Sequence, residues 1–511
     1  MAKLVSVAEM LAIEKAADKS GLTYAQMMEN AGSSLAYQII AHSHKLNKSV
    51  LGLIGPGNNG GDTLVAIEIL AKQGWKATAY MDKRDAEEKY VKRAKKAGVA
   101  IVAAGKSGSK LANLISKHAI LLDGLLGTGI RLPLREPFST VLGQTKEFFA
   151  RLENPPYVVA VDCPSGLDAD SGAVPLELLK ADFTVTMAAV KRGMLTLPAF
   201  GYLGELVVGE IGLPNDLPEW KAIRRSAIDE KMVRTSLPPR PPDAHKGTFG
   251  TALIVAGSHR FPGAALLSGE AAYRSGAGLV TIATPETIQL QLAGHLREAT
   301  WLPLPSDSGW IRGDAVDVVK PALERTTAML IGPGFGQEST TGKFIDELLK
   351  EKLPPLVVDA DALKLIAKLV DWPRCLPADT ALTPHPGEMS ILTGLTTDEI
   401  QDSRTDIAEK YAQQWKVVLV LKGAFTVVAA PDGRSATLPH ASPALARAGT
   451  GDVLAGLITG LRAQGVPAFN AACAAVWLHG QAGLRAVARL GGTAGVLAGD
   501  LIADLPALIG V

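Results

Sequence analysis

Gly449, Thr450, Gly451 and Asp452 stand at the head of an apolar run of helical period. Glycines and a threonine at a helix start leave backbone N–H groups free to hold an anion. A carboxylate in the same first turn is placed to take a proton from a substrate hydroxyl. A hydroxyl activated beside a bound phosphate is what phosphoryl transfer requires. A plain glycine turn capped by an acid is spelled the same way, so the segment acquires meaning only with partners.

Partners are present. Asp243-Ala244-His245-Lys246-Gly247 precedes a strand-like run that ends at Ala256-Gly257-Ser258. Phe261-Pro262-Gly263-Ala264-Ala265 opens a helical stretch, and Arg274 to Val280 closes it. Gly332-Pro333-Gly334-Phe335-Gly336, Asp359-Ala360-Asp361-Ala362-Leu363, Thr383-Pro384-His385-Pro386-Gly387-Glu388 and Lys422-Gly423-Ala424 each follow an apolar run. Any one of these reads as an ordinary turn. Together, at successive strand ends, they read as ligand loops.

The first half carries a second constellation. Gly55-Pro56-Gly57-Asn58-Asn59-Gly60-Gly61-Asp62 follows a strand and leads into a helix. It lacks the lysine of a Walker A loop and the spacing of a dinucleotide fingerprint. Asp123-Gly124-Leu125-Leu126-Gly127-Thr128-Gly129 and Val161-Asp162-Cys163-Pro164-Ser165-Gly166 end two further strands. Their carboxylates, carbonyls and hydroxyls could hold a hard cation.

Positioning these loops is the task of alternating strands and helices. Strands are expected at Ser49–Ile54, Trp75–Met81, Ala119–Asp123 and Tyr157–Asp162, with helices at Thr63–Gln73 and Ala86–Ala97. The pattern restarts with strands at Thr251–Ala256, Leu279–Ala283, Ala328–Ile331, Leu356–Asp359 and Val417–Leu421. Helices are expected at Gly263–Ser275, Asp452–Ala463 and Ala468–Ala488. This alternation argues for parallel sheets covered by helices. Four prolines within Pro238–Pro242 can continue neither helix nor central strand. We therefore expect domains at 1–218 and 243–511, joined by a linker at 219–242.

Bulk properties agree. A chain of 511 residues suggests about two to four domains. With 47% hydrophobic and 20% charged residues it can build large cores. A net charge of +1 gives no reason to expect a nucleic-acid or membrane partner. Three scattered cysteines show neither metal-ligand spacing nor a disulfide framework, which fits a cytoplasmic protein. The acidic and basic residues among the apolar positions of the N-terminus give an amphipathic helix rather than a signal peptide.

The three loops of the first half, with Thr184-Val185-Thr186 and Lys191-Arg192-Gly193 behind them, resemble the NAD(P)H-hydrate epimerase family, the YjeF N-terminal domain. The resemblance runs from about Val5 to Pro214 and implies a Rossmann-like three-layer αβα sandwich. It implies that Asn58, Asn59, Gly60, Gly61, Asp62, Gly127, Thr128, Gly129, Ile130, Arg131, Leu132, Pro133 and Asp162 contact the hydrated nucleotide. It also implies K+ at Asn59, Asp123 and Ser165, and Asp162 as the acid/base, assisted by Lys191. Thr63 stands where the family commonly has glycine, and Cys163 where it commonly has an aliphatic residue; both leave the charged and ligating groups in place.

The second half, from about Met232 to Ile509, resembles the ADP-dependent NAD(P)H-hydrate dehydratases of the ribokinase-like superfamily, and so an αβα sandwich. That resemblance implies substrate contacts from Ala264, Gly334, His385 and Asp452. It places the adenine nucleotide on Lys422, Gly423, Ala424, Phe425, Thr426 and Gly451, with Mg2+ accompanying ADP as phosphoryl donor. Asp452 would take the proton from the hydroxyl, and the amides of Gly449 to Gly451 would steady the phosphoryl group. Ala444 and Ala448 replace glycines common in the family, and Ser442 an asparagine.

Jointly the resemblances imply a bifunctional enzyme of nicotinamide nucleotide repair. It would exchange the R and S hydrates of NADH and NADPH. It would then dehydrate the S form with ADP, releasing AMP and phosphate. Its partners would be these small molecules, with a homo-oligomer as the expected assembly. The alternatives are a ribokinase-like small-molecule kinase fused to a nucleotide-binding domain, or a metabolite-binding scaffold. A kinase would release a stable phosphate ester; a scaffold would not need Asp62, Asp123, Asp162 and Asp452.

Overall fold

Runs of β-branched and aliphatic residues form strands buried on both faces, as in Val50, Leu51, Leu53 and Ile54. Such strands need helices on both sides, which parallel crossovers supply. The computed structural model describes residues 2–42, 46–105 and 108–510. The chain divides into two units between Arg225 and Ser226.

The first unit contains seven parallel strands. Their spatial order is Ala100–Ala103, Lys76–Met81, Ser49–Ile54, Ile120–Gly124, Tyr157–Val161, Phe183–Met187 and Glu205–Gly209. From Ser49–Ile54 the chain winds outward to one edge, then returns to the opposite side of that strand at Ile120–Gly124. The topological switch therefore lies between these two strands, and the crevice beyond their carboxyl ends is where such sheets bind ligands. At the N-terminus, Leu4–Val5 pairs in parallel with Val190–Lys191, bringing Val5 opposite Lys191. The chain then turns into the helix Val7–Lys19. Ser6 and Glu9 cap it reciprocally: Glu9 N–H donates to Ser6 Oγ at 3.1 Å and Ser6 N–H to Glu9 Oε2 at 2.7 Å.

The second unit contains seven parallel strands in the order Thr300–Leu304, Leu279–Pro285, Thr251–Val255, Ala328–Ile331, Leu356–Val358, Ala381–Leu382 and Val418–Leu421. Val427–Ala429 and Ser435–Thr437 extend the sheet antiparallel, and Arg225–Ala227 closes its edge. The winding again reverses beside the first strand of the series, between Thr251–Val255 and Ala328–Ile331. The helix Thr450–Ala463 packs against the helix Gly263–Arg274. A Cβ on Gly456 would lie 2.2 Å from the Ser268 carbonyl oxygen, and one on Gly460 2.0 Å from Ser275 Oγ. Only glycine permits this separation.

The boundary differs from the expected linker at 219–242. Ile228 N–H donates to Thr437 O at 2.9 Å, and the helix Glu230–Ser236, capped by Asp229, buries Met232 and Val233 in the second core. Apolar side chains at 228, 232 and 233 have a core to fill, so residues 226–236 fold with it. The proline run follows that helix rather than separating the domains. Among the described residues, no helix is long and apolar enough to cross a membrane.

Candidate functional site

In the first unit the glycine-rich segment after Ser49–Ile54 is less loop than helix. The helix runs Asn58–Lys72, with Gly57 as its extended N-cap, so Asn58 to Asp62 are its opening turns. Close packing explains the composition. A Cβ on Gly124 would meet Thr63 Oγ1 at 1.9 Å, and that hydroxyl donates to Asn59 O at 2.6 Å. Thr63 therefore fits where glycine is commoner because its hydroxyl bonds within its own helix. Cys163 is fully buried and fills space.

Asn59 Nδ2 donates to the carbonyls of Leu126, at 3.0 Å, and Val161, at 2.5 Å. The Leu126 carbonyl also accepts from Ser165 Oγ, at 3.2 Å. Asp123 Oδ2 accepts from Ser165 N–H at 2.7 Å, whereas its Oδ1 is buried without a hydrogen-bond partner among the described residues. Burial raises the Asp123 carboxyl from its ordinary value, against the hydrogen bonds from Ser165. Asn59, Asp123 and Ser165 thus meet, among oxygens, across three strand ends.

Asp162 has φ 64°, a left-handed conformation uncommon outside glycine. Its Oδ1 accepts from Met187 N–H at 2.9 Å, from Thr186 Oγ1 at 3.1 Å and from the Lys191 ammonium. Lys191 also donates to Thr186 Oγ1 and Met187 O, both at 3.0 Å, and its side chain is only 2% exposed. A cavity of about 670 Å3 opens onto this pair. Asn58, Asn59, Asp62, Gly127 to Arg131 and Asp162 line it, as expected; Gly60, Gly61, Leu132 and Pro133 do not. Met10, Leu11, Glu14, Arg135 and Phe138 line it unforeseen. The signal for the first three was a helical face that is apolar except for one acid.

In the second unit, Gly449 takes φ 88° as N-cap of the helix Thr450–Ala463. Thr450 Oγ1 donates to the carbonyls of Leu445 and Arg447, each at 2.8 Å, while Thr450 O accepts from His479 Nε2 at 2.9 Å. Burial pushes His479 down to about 4, so the imidazole supporting this turn is neutral. Asp452 lies in the first turn. Burial, with the negative charges of Asp359, Asp361 and Glu388 and against the positive charge of Lys422, raises its carboxyl to about 7. Among the described residues that carboxylate has no hydrogen-bond or ion-pair partner.

Lys422 connects the other loops. Its Nζ lies 2.6 Å from Asp359 Oδ1 and 3.7 Å from Glu388 Oε2, and 3.5 Å from where a Cβ on Gly451 would stand. Burial opposes its charge, yet Asp359 and Glu388 hold it above its ordinary value. His385 accepts from Gly387 N–H at 3.0 Å through Nδ1 and approaches Glu388 through Nε2 at 3.2 Å. Gly334, at φ 68°, lies against Ala264: a Cβ there would stand 2.9 Å from that of Ala264. Beyond Lys422, Phe425 is left-handed at φ 55°, and Thr426 Oγ1 donates to Gly423 O at 2.9 Å, tightening the turn that contains Ala424. Asp359 and Glu388 were visible as motif members; their convergence on one lysine is a property of the fold. Among the described residues no three His, Cys, Asp or Glu side chains form a metal cage.

Comparison with known proteins assigns both halves. Residues 252–507 match the family model of NAD(P)H-hydrate dehydratase, and residues 24–193 that of the YjeF-related protein N-terminus. The bifunctional NAD(P)H-hydrate repair enzyme Nnr of Moorella thermoacetica is 37% identical, the match covering 98% of this chain and 96% of that protein. The Escherichia coli protein of the same name is 34% identical over 97% of this chain and 91% of its own length. A crystal structure of ADP/ATP-dependent NAD(P)H-hydrate dehydratase from Bacillus subtilis, co-crystallised with ATP/Mg2+, is 37% identical. It covers 56% of this chain and 98% of that chain, with a TM-score of 0.49.

Proposed function

The chain belongs to the family of bifunctional NAD(P)H-hydrate repair enzymes, and from that premise we propose how its two sites divide the work. The Asp162 cavity exchanges the epimers of hydrated NADH and NADPH. The Asp452 site dehydrates the S epimer at the expense of ADP. The observation that carries this reading is Asp452: a half-buried carboxyl without a hydrogen-bond or ion-pair partner among the described residues, held near 7, in the first turn of a helix whose N-cap makes no side-chain hydrogen bond.

At the second site Ala264, Gly334 and His385 hold the hydrate, and Lys422 to Thr426 with Gly451 hold the nucleotide. Asp452 takes the proton of the hydrate's hydroxyl, whose oxygen attacks the terminal phosphorus of ADP. AMP departs, and the amides of Gly449 to Gly451 stabilise the charge in flight. The poor leaving group hydroxide has become phosphate. Its C–O bond then breaks, a ring proton is lost, and the dihydronicotinamide is restored. Mg2+ reaches such sites with the nucleotide's phosphates and one or two carboxylates rather than in a protein cage. Asp359 and Asp361, which bear on the charge of Asp452, are the acids that fit it. Bound there, it would neutralise phosphate charge.

At the first site the segments 58–62 and 127–133 hold the nucleotide, and Asp162, fixed by Lys191, moves the proton. Asn59, Asp123 and Ser165 fit K+: the partnerless Asp123 Oδ1 and the neighbouring carbonyls form an oxygen-only set. The free thiols of all three cysteines support a cytoplasmic setting.

The test is to incubate the whole chain with (S)-NADH hydrate and ADP. Return of the dihydronicotinamide absorbance with formation of AMP and phosphate supports the reading. A stable phosphate ester of the substrate would make the chain a kinase instead.

A further inference from the structure

Epimerisation poses a problem that one carboxylate does not solve. Hydration of an enamine puts the hydroxyl on the ring carbon beside the ring nitrogen. Inverting that carbon means losing water from one face and regaining it on the other. The departing oxygen needs a proton, and the incoming water must give one up. A single group beside one face returns the epimer it started from. Asp162 is pinned by Met187, Thr186 and Lys191 and cannot move across the ring.

The cavity offers a second group. The helix Val7–Lys19 forms part of its wall with Val7, Met10, Leu11 and Glu14, a single face in which only Glu14 is charged. This helix is fixed to the catalytic pair through the backbone, since Leu4–Val5 pairs with Val190–Lys191 just before it begins. Asp170 Oδ1 accepts from Val7 N–H at 2.9 Å and secures the helix start. Among the described residues neither Glu14 nor Asp62 has a hydrogen-bond or ion-pair partner, though both line the cavity.

Resting on the reading of the first site given above, we propose that Glu14 is the second proton-transfer residue of the epimerase, acting on the hydroxyl from a separate wall while Asp162 serves the other face. In one direction Glu14 protonates the hydroxyl oxygen. The C–O bond breaks with its electron pair on oxygen, water departs, and the ring nitrogen's lone pair forms an iminium. Water then adds to the opposite face and its proton passes to Asp162. The reverse direction uses the two groups in exchanged roles, so atoms and charge balance over either path. The electrostatics agree: burial and the charge of Asp162, opposed by Lys191, raise Glu14 from its ordinary value, so it holds a proton more readily. Asp62 is raised well above its ordinary value by burial, with Asp162 and Glu14 adding and Arg84 and Lys191 opposing. Asp62 is only 7% exposed, whereas half-buried Glu14 can exchange its proton with solvent between turnovers.

The test measures epimer exchange by the full chain without ADP, and ADP-driven dehydration of the S epimer as a control on the other half. Glu14→Gln is expected to lower kcat of exchange by at least about 100-fold, with KM within about threefold of wild type and dehydration unchanged. Glu14→Asp, which keeps the carboxyl, is expected to recover at least about tenfold over Gln. The wild-type pH profile of exchange is expected to be bell-shaped, since one carboxyl must hold a proton and the other must not; in Glu14→Gln the bell is lost. A kcat within threefold of wild type, a change in KM alone, or an Asp variant no better than Gln overturns the proposal. A Gln variant that fails to fold leaves the Asp variant's kcat and pH profile to decide. Wild-type chain that dehydrates the S epimer but exchanges none would instead overturn the assignment of the first site.

Discussion

Asp162 and Asp452 are one residue type in two settings. Both stand at the carboxyl edge of a parallel sheet, beside left-handed backbone: Asp162 itself, and Gly449 three residues before Asp452. Asp162 is gripped by a backbone N–H, a hydroxyl and a buried ammonium, which fix its position. Asp452 has no such grip, and burial holds its carboxyl near 7. The first setting holds a carboxyl in one position; the second leaves a proton close to balance. The partner, not the residue, determines which task a carboxylate performs.

The most severe way to break the comparison is to neutralise each acid in turn. Asp452→Asn is expected to lower ADP-dependent dehydration by about 1,000-fold or more while epimer exchange continues. Asp162→Asn is expected to do the reverse. Loss of both activities in either variant would show that the sites are not independent.

Lys191→Met tests the grip. Removing one member of a buried ion pair leaves the other without compensation, at a cost of about 3–5 kcal/mol. We expect exchange to fall by about 100-fold, with a lower denaturant midpoint for the first unit. An unchanged midpoint would mean that the pair does not anchor the loop.

Asp452→Asn should also stabilise the fold. A folded value near 7 lies above the unfolded value of about 3.8, so the folded chain keeps a proton that the unfolded chain releases between those values. That contribution to stability is complete below pH 3.8 and is lost as pH rises through 7. At pH 8 the variant is expected to unfold several degrees above wild type, consistent with a penalty on the order of 1–4 kcal/mol. Equal melting temperatures at pH 8 would contradict the assigned burial.

The smallest effect concerns tuning. kcat for dehydration should rise with pH through about 7 as Asp452 ionises. Asp361→Asn, besides lowering kcat by removing an acid placed to receive Mg2+, removes one of the charges that raise Asp452, and should move that midpoint down by less than about one unit. A midpoint unmoved, or moved upward, would discount that coupling.

Long elements were legible because their periodicity is strong. Ser49–Ile54 and Ala328–Ile331 form over the expected residues, and the helix Thr450–Ala463 starts only two residues before its expected beginning. Two- and three-residue strands such as Ala381–Leu382 and Ser435–Thr437 are too short to show a period. The opening turns of the helix Asn58–Lys72 were hidden by Gly60 and Gly61, poor helix formers retained because Gly55 O and the Arg84 guanidinium leave no room for a side chain at 60. The site's loops could be read singly. The pairings of Lys191 with Asp162, and of Lys422 with Asp359 and Glu388, depend on crossovers that bring distant segments side by side.

The crossing at Gly456 and Gly460 has a consequence well away from any ligand. These two positions let one helix lie directly on another's backbone, and that helix opens with the Gly449–Asp452 turn. A methyl group at 456 would act as a wedge, levering the turn out of register with Ala264 and Gly334. Variants selected for failed repair should therefore include inherited lesions at these glycines, with every substrate contact still intact.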